Sequence, residues 1–88
     1  MARLMAYGLV ITELATTVVA KMDQETHERF VHAMLELGTD PHSQGQLVGV
    51  ESPAVTECVT ALGSSGLIIY VVDDVMETVR IVNVIWIG

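Results

Sequence analysis

Three histidines, one cysteine and a short acidic segment are the residues of this 88-residue chain whose types suit metal binding or catalysis. His27 and His32 lie five residues apart in a segment of helical periodicity, so they point about 140° apart around a helix axis. One metal ion cannot contact both from the same face, and no Cys/His ligand spacing accompanies them. His42 follows in a polar loop. We therefore predict no metal site and assign the histidines to solvated or half-buried positions.

Cys58 and the acidic residues Asp73, Asp74 and Glu77 could supply a nucleophile or the ligands of a hard cation. A cysteine acts as a nucleophile when a histidine and an acid converge on it, whereas a small mid-strand cysteine is more often a buried structural thiol. The acidic residues lack the ligand series of a calcium loop, which favours a solvated turn. "GSSG" at Gly63–Gly66 has neither a lysine nor a following helix, so it indicates a hairpin turn and not a phosphate loop. We predict no cofactor.

The net charge of the chain is −7, because four basic residues stand against eleven acidic ones. The basic residues are dispersed along the sequence as Arg3, Lys21, Arg29 and Arg80. Binding of nucleic acid draws most of its affinity from Lys and Arg side chains that neutralise phosphates. Four scattered cations cannot line a phosphate groove, and acidic membrane surfaces are disfavoured for the same reason. We expect neither direct nucleic-acid binding nor membrane binding.

Length and composition indicate one domain, residues 1–88, with a single core. Hydrophobic residues make up 51% of the chain, which excludes disorder. The longest clean apolar run, Leu67–Val72, is far shorter than the roughly 20 residues that span a bilayer. A single cysteine excludes an internal disulfide and is typical of a reducing compartment, so we predict a cytoplasmic location.

Two helices and four strands are predicted from periodicity, capping residues and turn residues. In chain order they are a strand at Tyr7–Thr12, helices at Glu13–Met22 and Gln24–Leu37, and strands at Val55–Leu62, Leu67–Val72 and Val75–Ile87. Thr12 and Asp23 are suited to cap the two helices, and Gly38 occupies a C-cap position. Leu47–Val50 indicates one short extended piece inside a long loop. This order predicts an α+β fold, β-α-α-β-β-β, with two N-terminal helices packed on a mainly antiparallel four-stranded sheet.

Three segments combine features that recur together in one known family. They are "DQETHERFVHAMLELGTDP" (Asp23–Pro41), a helix closed by Asp-Pro; "GLIIYVVDD" (Gly66–Asp74), a tyrosine-bearing strand with an acidic turn; and "VRIVNVI" (Val79–Ile85), a final strand. In this order they resemble the RelE/ParE superfamily of toxins from toxin–antitoxin systems, over most of the chain. The resemblance implies the fold of that family, with Tyr70 at its aromatic position.

The basic residues with which active, mRNA-cleaving members of that family act have no counterparts at the matching positions. Leu67 occupies the usual arginine position, the strand "VTECVTAL" (Val55–Leu62) holds neither Lys nor Arg, and the family's polar ending falls near Trp86 and Ile87. RNA cleavage by a 2′-hydroxyl requires a general base, a general acid and positive charge on the scissile phosphate. The resemblance implies the fold, whereas these substitutions argue against nuclease activity and leave no catalytic residue to name.

The last predicted strand is apolar on both faces toward its end. Simple alternation places Val82, Val84 and Trp86 on one face. Two helices can cover only one face of the sheet, and Tyr70 together with these three residues would form an exposed apolar patch that monomers rarely tolerate. We predict that the four residues contact a protein, either a second copy of the chain or an antitoxin-like segment. Cover by the long loop Gly38–Pro53 is the alternative.

Three functional hypotheses follow from the sequence. The first is a RelE/ParE toxin-like protein without nuclease activity that acts through protein–protein contacts, as a homodimer or with an antitoxin-like partner. The second is an active ribosome-dependent mRNA interferase with an unusually basic-poor site. The third is an unrelated small α+β dimeric regulatory module.

Overall fold

The computed structural model describes residues 7–64 and 66–86, except for the side chains of residues 43 and 51. In chain order the elements are β1 (Gly8–Ile11), α1 (Glu13–Val19), α2 (Gln24–Thr39), α3 (Pro41–Gln44), β2 (Gln46–Ser52), β3 (Val55–Leu62), β4 (Gly66–Asp73) and β5 (Thr78–Trp86). The predicted α+β class is confirmed. The sheet has five strands instead of four, because the short extended piece at Leu47–Val50 is part of β2, which pairs along β3. The end of the last predicted strand, Ile87, lies outside the described residues.

The strands lie in the order β1-β5-β4-β3-β2. β1 pairs with β5 in parallel, and the other three pairs are antiparallel. A parallel pair is possible at this edge because the long stretch of chain between β1 and β5 serves as the crossover. β4 is the middle strand, and two strands flank it on each side.

The two predicted helix N-caps are confirmed. Thr12 Oγ1 accepts a 3.3 Å hydrogen bond from the backbone N–H of Ala15, and the Asp23 carboxylate accepts one of 3.4 Å from that of Thr26. α1 ends at Val19, earlier than predicted, after a β-branched run that disfavours helix. Within residues 7–64 and 66–86, no helix is both long and apolar enough to cross a membrane.

α2 continues past Gly38, which corrects the predicted role of this residue as a C-cap. The Gly38 carbonyl accepts a 2.7 Å hydrogen bond from the backbone N–H of Tyr7, so the helix end is tied to the start of β1. Asp40 leaves the helix, with φ −150° and ψ 82°. The cause is Pro41, whose ring disfavours helical geometry in the preceding residue.

The core lies between the helices and one face of the sheet. β4 contributes Ile68, Tyr70 and Val72, which are every second residue of the strand, as the pleat requires. The other buried hydrophobic residues are Ala15, Phe30, Met34, Leu37, Cys58, Leu62, Val79, Ile81 and Val84. The helices therefore cover one face of the sheet along β3, β4 and β5.

A β-bulge in β5 overturns the predicted alternation of the last strand. Tyr70 of β4 pairs with Ile81, and the next pair along β5 skips Val82, which is the extra residue. Ile81 and Val84 therefore face the same side, toward the helices, and Trp86 follows them. The prediction that Val82, Val84 and Trp86 share the face opposite the helices is wrong, because strict alternation fails at a bulge.

Candidate functional site

We call the face of the sheet that carries no helix the open face. The pairing register assigns to it Val10 and Gly8 of β1; Thr78, Arg80, Asn83 and Ile85 of β5; Leu67, Ile69, Val71 and Asp73 of β4; Val55, Glu57, Val59 and Ala61 of β3; and Gln46, Gly49 and Ser52 of β2. Residues paired directly opposite each other in neighbouring strands point to the same side, so this set follows from the register alone.

The open face is apolar across its middle. Val10, Leu67 and Ile85 are 49%, 42% and 46% exposed, and Ile69 and Val71 between them are half-buried by their neighbours. These side chains form a contiguous apolar surface across several strands. Monomeric proteins rarely present such a surface unless it binds something. The open face is therefore the candidate functional site.

Three charged residues belong to the open face. Glu57 of β3 pairs with Val71 of β4, and Val71 pairs with Arg80 of β5, so the two opposite charges flank Val71 in one row. Among the described residues, neither of them forms an ion pair with another side chain. The third, Asp73, accepts two 3.0 Å hydrogen bonds from backbone N–H groups of the following turn. The open face thus presents one cation and no cluster of positive charge.

Three of the four residues predicted to bind a partner lie on the helix-covered face. Tyr70 is fully buried, Val84 is 2% exposed, and Trp86 packs against the core while staying partly accessible. The fourth, Val82, is the bulge residue, and its carbonyl accepts a 2.8 Å hydrogen bond from Thr12 Oγ1. The correction concerns where these side chains lie. Contact between them and a partner stays a prediction, and the open face lies on the other side of the sheet.

Tyr70, at the aromatic position of the resemblance, is held inside the core by the segment around α3. Its hydroxyl donates a 3.4 Å hydrogen bond to the Pro41 carbonyl, and a Cβ added to Gly45 would collide with the same hydroxyl. Burial, followed by the neighbouring Cys58, raises the pKa of Tyr70 to about 12. A neutral, enclosed phenol of this kind cannot exchange protons with a ligand on the open face.

A polar cluster that sequence reasoning missed joins three distant segments at one end of the sheet. Asp74 Oδ1 accepts a 2.6 Å hydrogen bond from the Tyr7 hydroxyl and lies 2.6 Å from His42 Nε2. The rings of Tyr7 and His42 meet edge to face, with centroids 6.3 Å apart. Sequence analysis placed His42 and Asp74 in unrelated solvated loops, because nothing in local spacing links residues so far apart in the chain.

Hydrogen bonds within this cluster shift the pKa values of Tyr7 and Asp74 in opposite directions. The hydrogen bond to Asp74, followed by burial, raises the pKa of Tyr7 to about 12. The same hydrogen bond, followed by that of His42, lowers the pKa of Asp74, because both favour the carboxylate. In the described part of the chain no group of His, Cys, Asp and Glu side chains is arranged to hold a metal ion. The cluster therefore serves to fasten β1, α3 and the β4–β5 turn to one another.

The other residues whose types suit catalysis or ligand binding lie away from the open face. Cys58 is buried, which confirms its prediction as a structural thiol. Arg29 forms an i,i+4 ion pair with Glu25 on α2, 2.8 Å from Nη2 to Oε1. His32 Nε2 lies 2.8 Å from Glu36 Oε1 on the exposed side of α2. None of these side chains belongs to the open face.

A groove of about 570 Å³ runs between α2 and the β3–β4 turn. Its rim carries Glu25, Glu28 and Glu36, and its two basic side chains, Arg29 and His32, are each engaged with one of these carboxylates. The groove therefore offers no free cation to a phosphate or another anion. It adds no candidate to the open face.

Comparisons with known proteins bear on the fold. No protein-family model matches the sequence, and no curated protein matches it. Among solved structures, the archaeal RelE-RelB complex from Pyrococcus horikoshii OT3 contains a chain similar to this one, with a TM-score of 0.80 and 17% identity over 96% of this chain and 98% of that one. The toxin-antitoxin complex RelBE2 from Mycobacterium tuberculosis contains another, with a TM-score of 0.74 and 18% identity over 99% and 98%. The chain thus has a RelE-like toxin fold, as the sequence resemblance predicted.

Proposed function

We propose that this protein is a RelE/ParE toxin-like component of a toxin–antitoxin type system that lacks nuclease activity and acts through protein–protein contacts. The observation that carries the proposal is the composition of the open face, which is apolar across its middle and holds Arg80 as its one cation among the described residues. A surface that binds RNA needs several cations, whereas a surface that binds protein needs contiguous apolar area.

The open face offers few of the side chains that RNA cleavage requires. A 2′-hydroxyl attack requires a base, an acid and positive charge that stabilises the phosphate in the transition state. Among the described residues, the charged groups of the open face that could serve in this way are Glu57, Arg80 and Asp73, of which Asp73 already accepts two backbone hydrogen bonds. Leu67 fills the usual arginine position of the resemblance. With a net charge of −7, the protein also repels the substrate. Nuclease activity is therefore absent in this proposal.

The proposed partner is an antitoxin-like protein. Both similar structures are described as complexes, one of RelE with RelB and one of RelBE2 as a toxin-antitoxin complex. In this chain the exposed apolar open face gives such a partner an area to cover. A second copy of the chain is the other candidate for the protein that covers the open face. The proposal includes a cytoplasmic location, which the single cysteine favours, and no direct binding of nucleic acid, which the net charge of −7 opposes.

Nuclease activity is tested by adding the purified protein to translating ribosomes and mapping the mRNA by primer extension. We expect no protein-dependent cut. Cuts that disappear in both Arg80→Ala and Glu57→Gln would establish the rival hypothesis, an active ribosome-dependent interferase. Lys21→Ala, which removes a cation in the exposed turn between α1 and α2, is the matched control.

Partner binding is tested by co-expressing the protein with the product of the adjacent reading frame and purifying through a tag on one of the two. We expect a stable complex whose formation is weakened by Ile69→Asp on the open face. Leu35→Asp, at an exposed leucine of α2, controls for the loss of an apolar side chain elsewhere. Failure of the two products to associate would favour the third hypothesis, an unrelated α+β regulatory module.

A further inference from the structure

The open face has a symmetry that neither its apolar character nor the similar structures require. β4 is the middle of five strands, with β3 and β2 on one side and β5 and β1 on the other. A two-fold axis that lies in the interface and runs along β4 therefore exchanges β3 with β5 and β2 with β1. Under this operation the whole sheet of one copy is opposed by the whole sheet of another, which is the isologous arrangement of a closed dimer.

The two-fold rotation about β4 brings opposite charges of the two open faces together. One row across the sheet contains, in order, Gly49, Glu57, Val71, Arg80 and Val10. With the axis above Val71, Glu57 of each copy faces Arg80 of the other, and two opposite-charge pairs form. At the ends of the row a glycine faces a valine. Within the described part of a single chain these two charges form no ion pair, so both are available for such contacts.

The alternative two-fold axis, which lies in the interface perpendicular to the strands, has the opposite consequence. When this axis passes over the row of Val71, Glu57 faces Glu57 and Arg80 faces Arg80. When it passes over the row of Ile69, Glu57 faces Ala61 and Arg80 faces Ile85. Like charges opposed in an apolar interface weaken binding, whereas opposite charges strengthen it and fix the register. Of these two axes, the one along β4 pairs opposite charges, and the charges therefore favour it.

The remaining rows are compatible with close packing. Ile69 and Leu67 lie on the axis and meet their own copies, while Ala61 of β3 faces Ile85 of β5, a small residue against a large one. Sheets that pack face to face in this way lie about 10 Å apart. Asp73 is the one position where like charges approach each other, at the end of the sheet. Its hydrogen bonds to two backbone N–H groups offset part of that cost.

We propose that two copies of this chain pack their open faces together about a two-fold axis along β4, with reciprocal Glu57–Arg80 pairs on either side of Val71. The occupant is a second copy because the operation pairs the opposite charges of Glu57 and Arg80 and places small Ala61 against large Ile85. In the other rows, Val59 faces Asn83 and Val55 faces Thr78. A nucleic acid would meet one cation, and a uniformly basic peptide would meet Arg80 as a repulsive charge. The dimer shares with the proposed function only the idea that protein covers the open face, and an antitoxin-like partner would have to displace the second copy.

Sedimentation velocity of the purified chain alone, from about 1 to 100 µM, tests the dimer. We expect a dimer for the wild type and for two charge-matched controls outside the open face, Lys21→Glu and Glu28→Arg. We expect Arg80→Glu and Glu57→Arg each to raise the dissociation constant by about tenfold or more, because both reciprocal pairs become repulsive. Circular dichroism confirms that each variant is folded.

The decisive experiment mixes the two variants. In a heterodimer of Arg80→Glu with Glu57→Arg, each glutamate faces an arginine, so a 1:1 mixture should recover the wild-type dissociation constant within about threefold. A repaired contact inside one chain cannot give this result, because each chain still carries its own single substitution. The neutral variants Glu57→Gln and Arg80→Gln should weaken the dimer less, and they replace the reversals if those do not fold.

Three outcomes would overturn the proposal: a wild type that is monomeric over the whole range, a dimer that both reversals leave unchanged, or a mixture that stays monomeric. A monomer that still co-purifies with an antitoxin-like partner would refute the dimer and leave the proposed function standing. A dimer that follows the charge pattern but captures no such partner would do the reverse.

Discussion

Tyr7 and Asp74, 67 residues apart in the chain, share a 2.6 Å hydrogen bond in which the phenol donates to the carboxylate. Asp74 also contacts His42 of α3, so the start of β1, the α3 segment and the β4–β5 turn meet at one carboxylate. The parallel edge strand β1 spans only four residues, and this cluster supplies a side-chain anchor at its beginning. The same cluster makes the first prediction accessible to spectroscopy.

Both tyrosines of the chain should ionise well above the ordinary tyrosine value near 10. The pKa is raised to about 12 for Tyr7 by its hydrogen bond to Asp74, and to about 12 for Tyr70 by burial. A raised pKa contributes stability that is complete below about pH 10 and is lost as the pH rises toward 12. We therefore expect the free energy of unfolding, measured with guanidinium, to fall over that interval. Ultraviolet titration of phenolate should show no transition near pH 10.

Asp74→Asn separates the two tyrosines in that titration. It removes the charge that holds the Tyr7 proton, so one phenol should titrate closer to pH 10, while Tyr70, whose pKa is raised by burial, should keep its value. Tyr7→Phe is the control, because it leaves a single transition. If the pKa values of both phenols fell together in Asp74→Asn, the substitution would have loosened the core, and its effect would not be confined to the cluster of Tyr7, His42 and Asp74.

Gly45→Ala should lower the free energy of unfolding by about 1–3 kcal/mol, the cost of overpacking a filled site. A Cβ at this position would collide with the Tyr70 hydroxyl and lie 2.6 Å from the Val59 carbonyl oxygen. Gly49→Ala on the neighbouring strand β2 is the matched control, since its Cβ meets nothing within 4 Å. Urea unfolding followed by circular dichroism compares the two variants. Equal stability of both would mean that the α3 segment moves aside freely.

Thr12→Ala should destabilise the protein by about 1–2 kcal/mol, which is large for a helix cap. Thr12 Oγ1 accepts a hydrogen bond from the Ala15 N–H and donates one of 2.8 Å to the Val82 carbonyl, so it joins α1 to the bulge of β5. Thr17→Ala removes a hydroxyl that bonds only to the preceding turn of the same helix, and it should be neutral or slightly stabilising. Thermal unfolding of the two variants measures the difference. A loss of only about 0.5 kcal/mol, the lower end of the range for a helix cap, would mean that the hydrogen bond to the Val82 carbonyl adds nothing.

Trp86→Ala should act on stability, at a cost of about 2–4 kcal/mol, because this side chain packs against the core. Ile85→Ala, one residue earlier on the open face, should change stability by less than about 1 kcal/mol, because Ile85 is 46% exposed. Urea unfolding and sedimentation velocity on both variants distinguish the two roles. The expectation from sequence, that Trp86 anchors a partner, would hold instead if Trp86→Ala dissociated a complex without loss of stability.

The helices and the class of the fold could be read from the sequence because their signals are local. Asp23 followed by apolar residues at helical spacing predicts α2, and the side-chain cap observed there is the one expected. The run Leu67–Val72 predicts a strand, and because successive residues point to opposite faces, it also predicts apolar residues on both faces of the sheet. The scarcity of basic residues likewise argues against a phosphate-binding surface wherever the chain folds, because charge is a property of composition, and the absence of nucleic-acid binding stays a prediction.

The identity of the open face depended on the tertiary structure. The bulge at Val82 inverts the last third of β5, and a single extra residue in a strand exchanges every following side chain between faces. No local sequence signal marks that position, so Trp86 and Val84 were assigned to the wrong side of the sheet. The row of Glu57, Val71 and Arg80, and the meeting of Tyr7 with Asp74, likewise exist only because strand order and register bring distant residues together. Periodicity specifies which residues within one element share a face, whereas the packing of all elements decides which face meets the core and which is left for a partner.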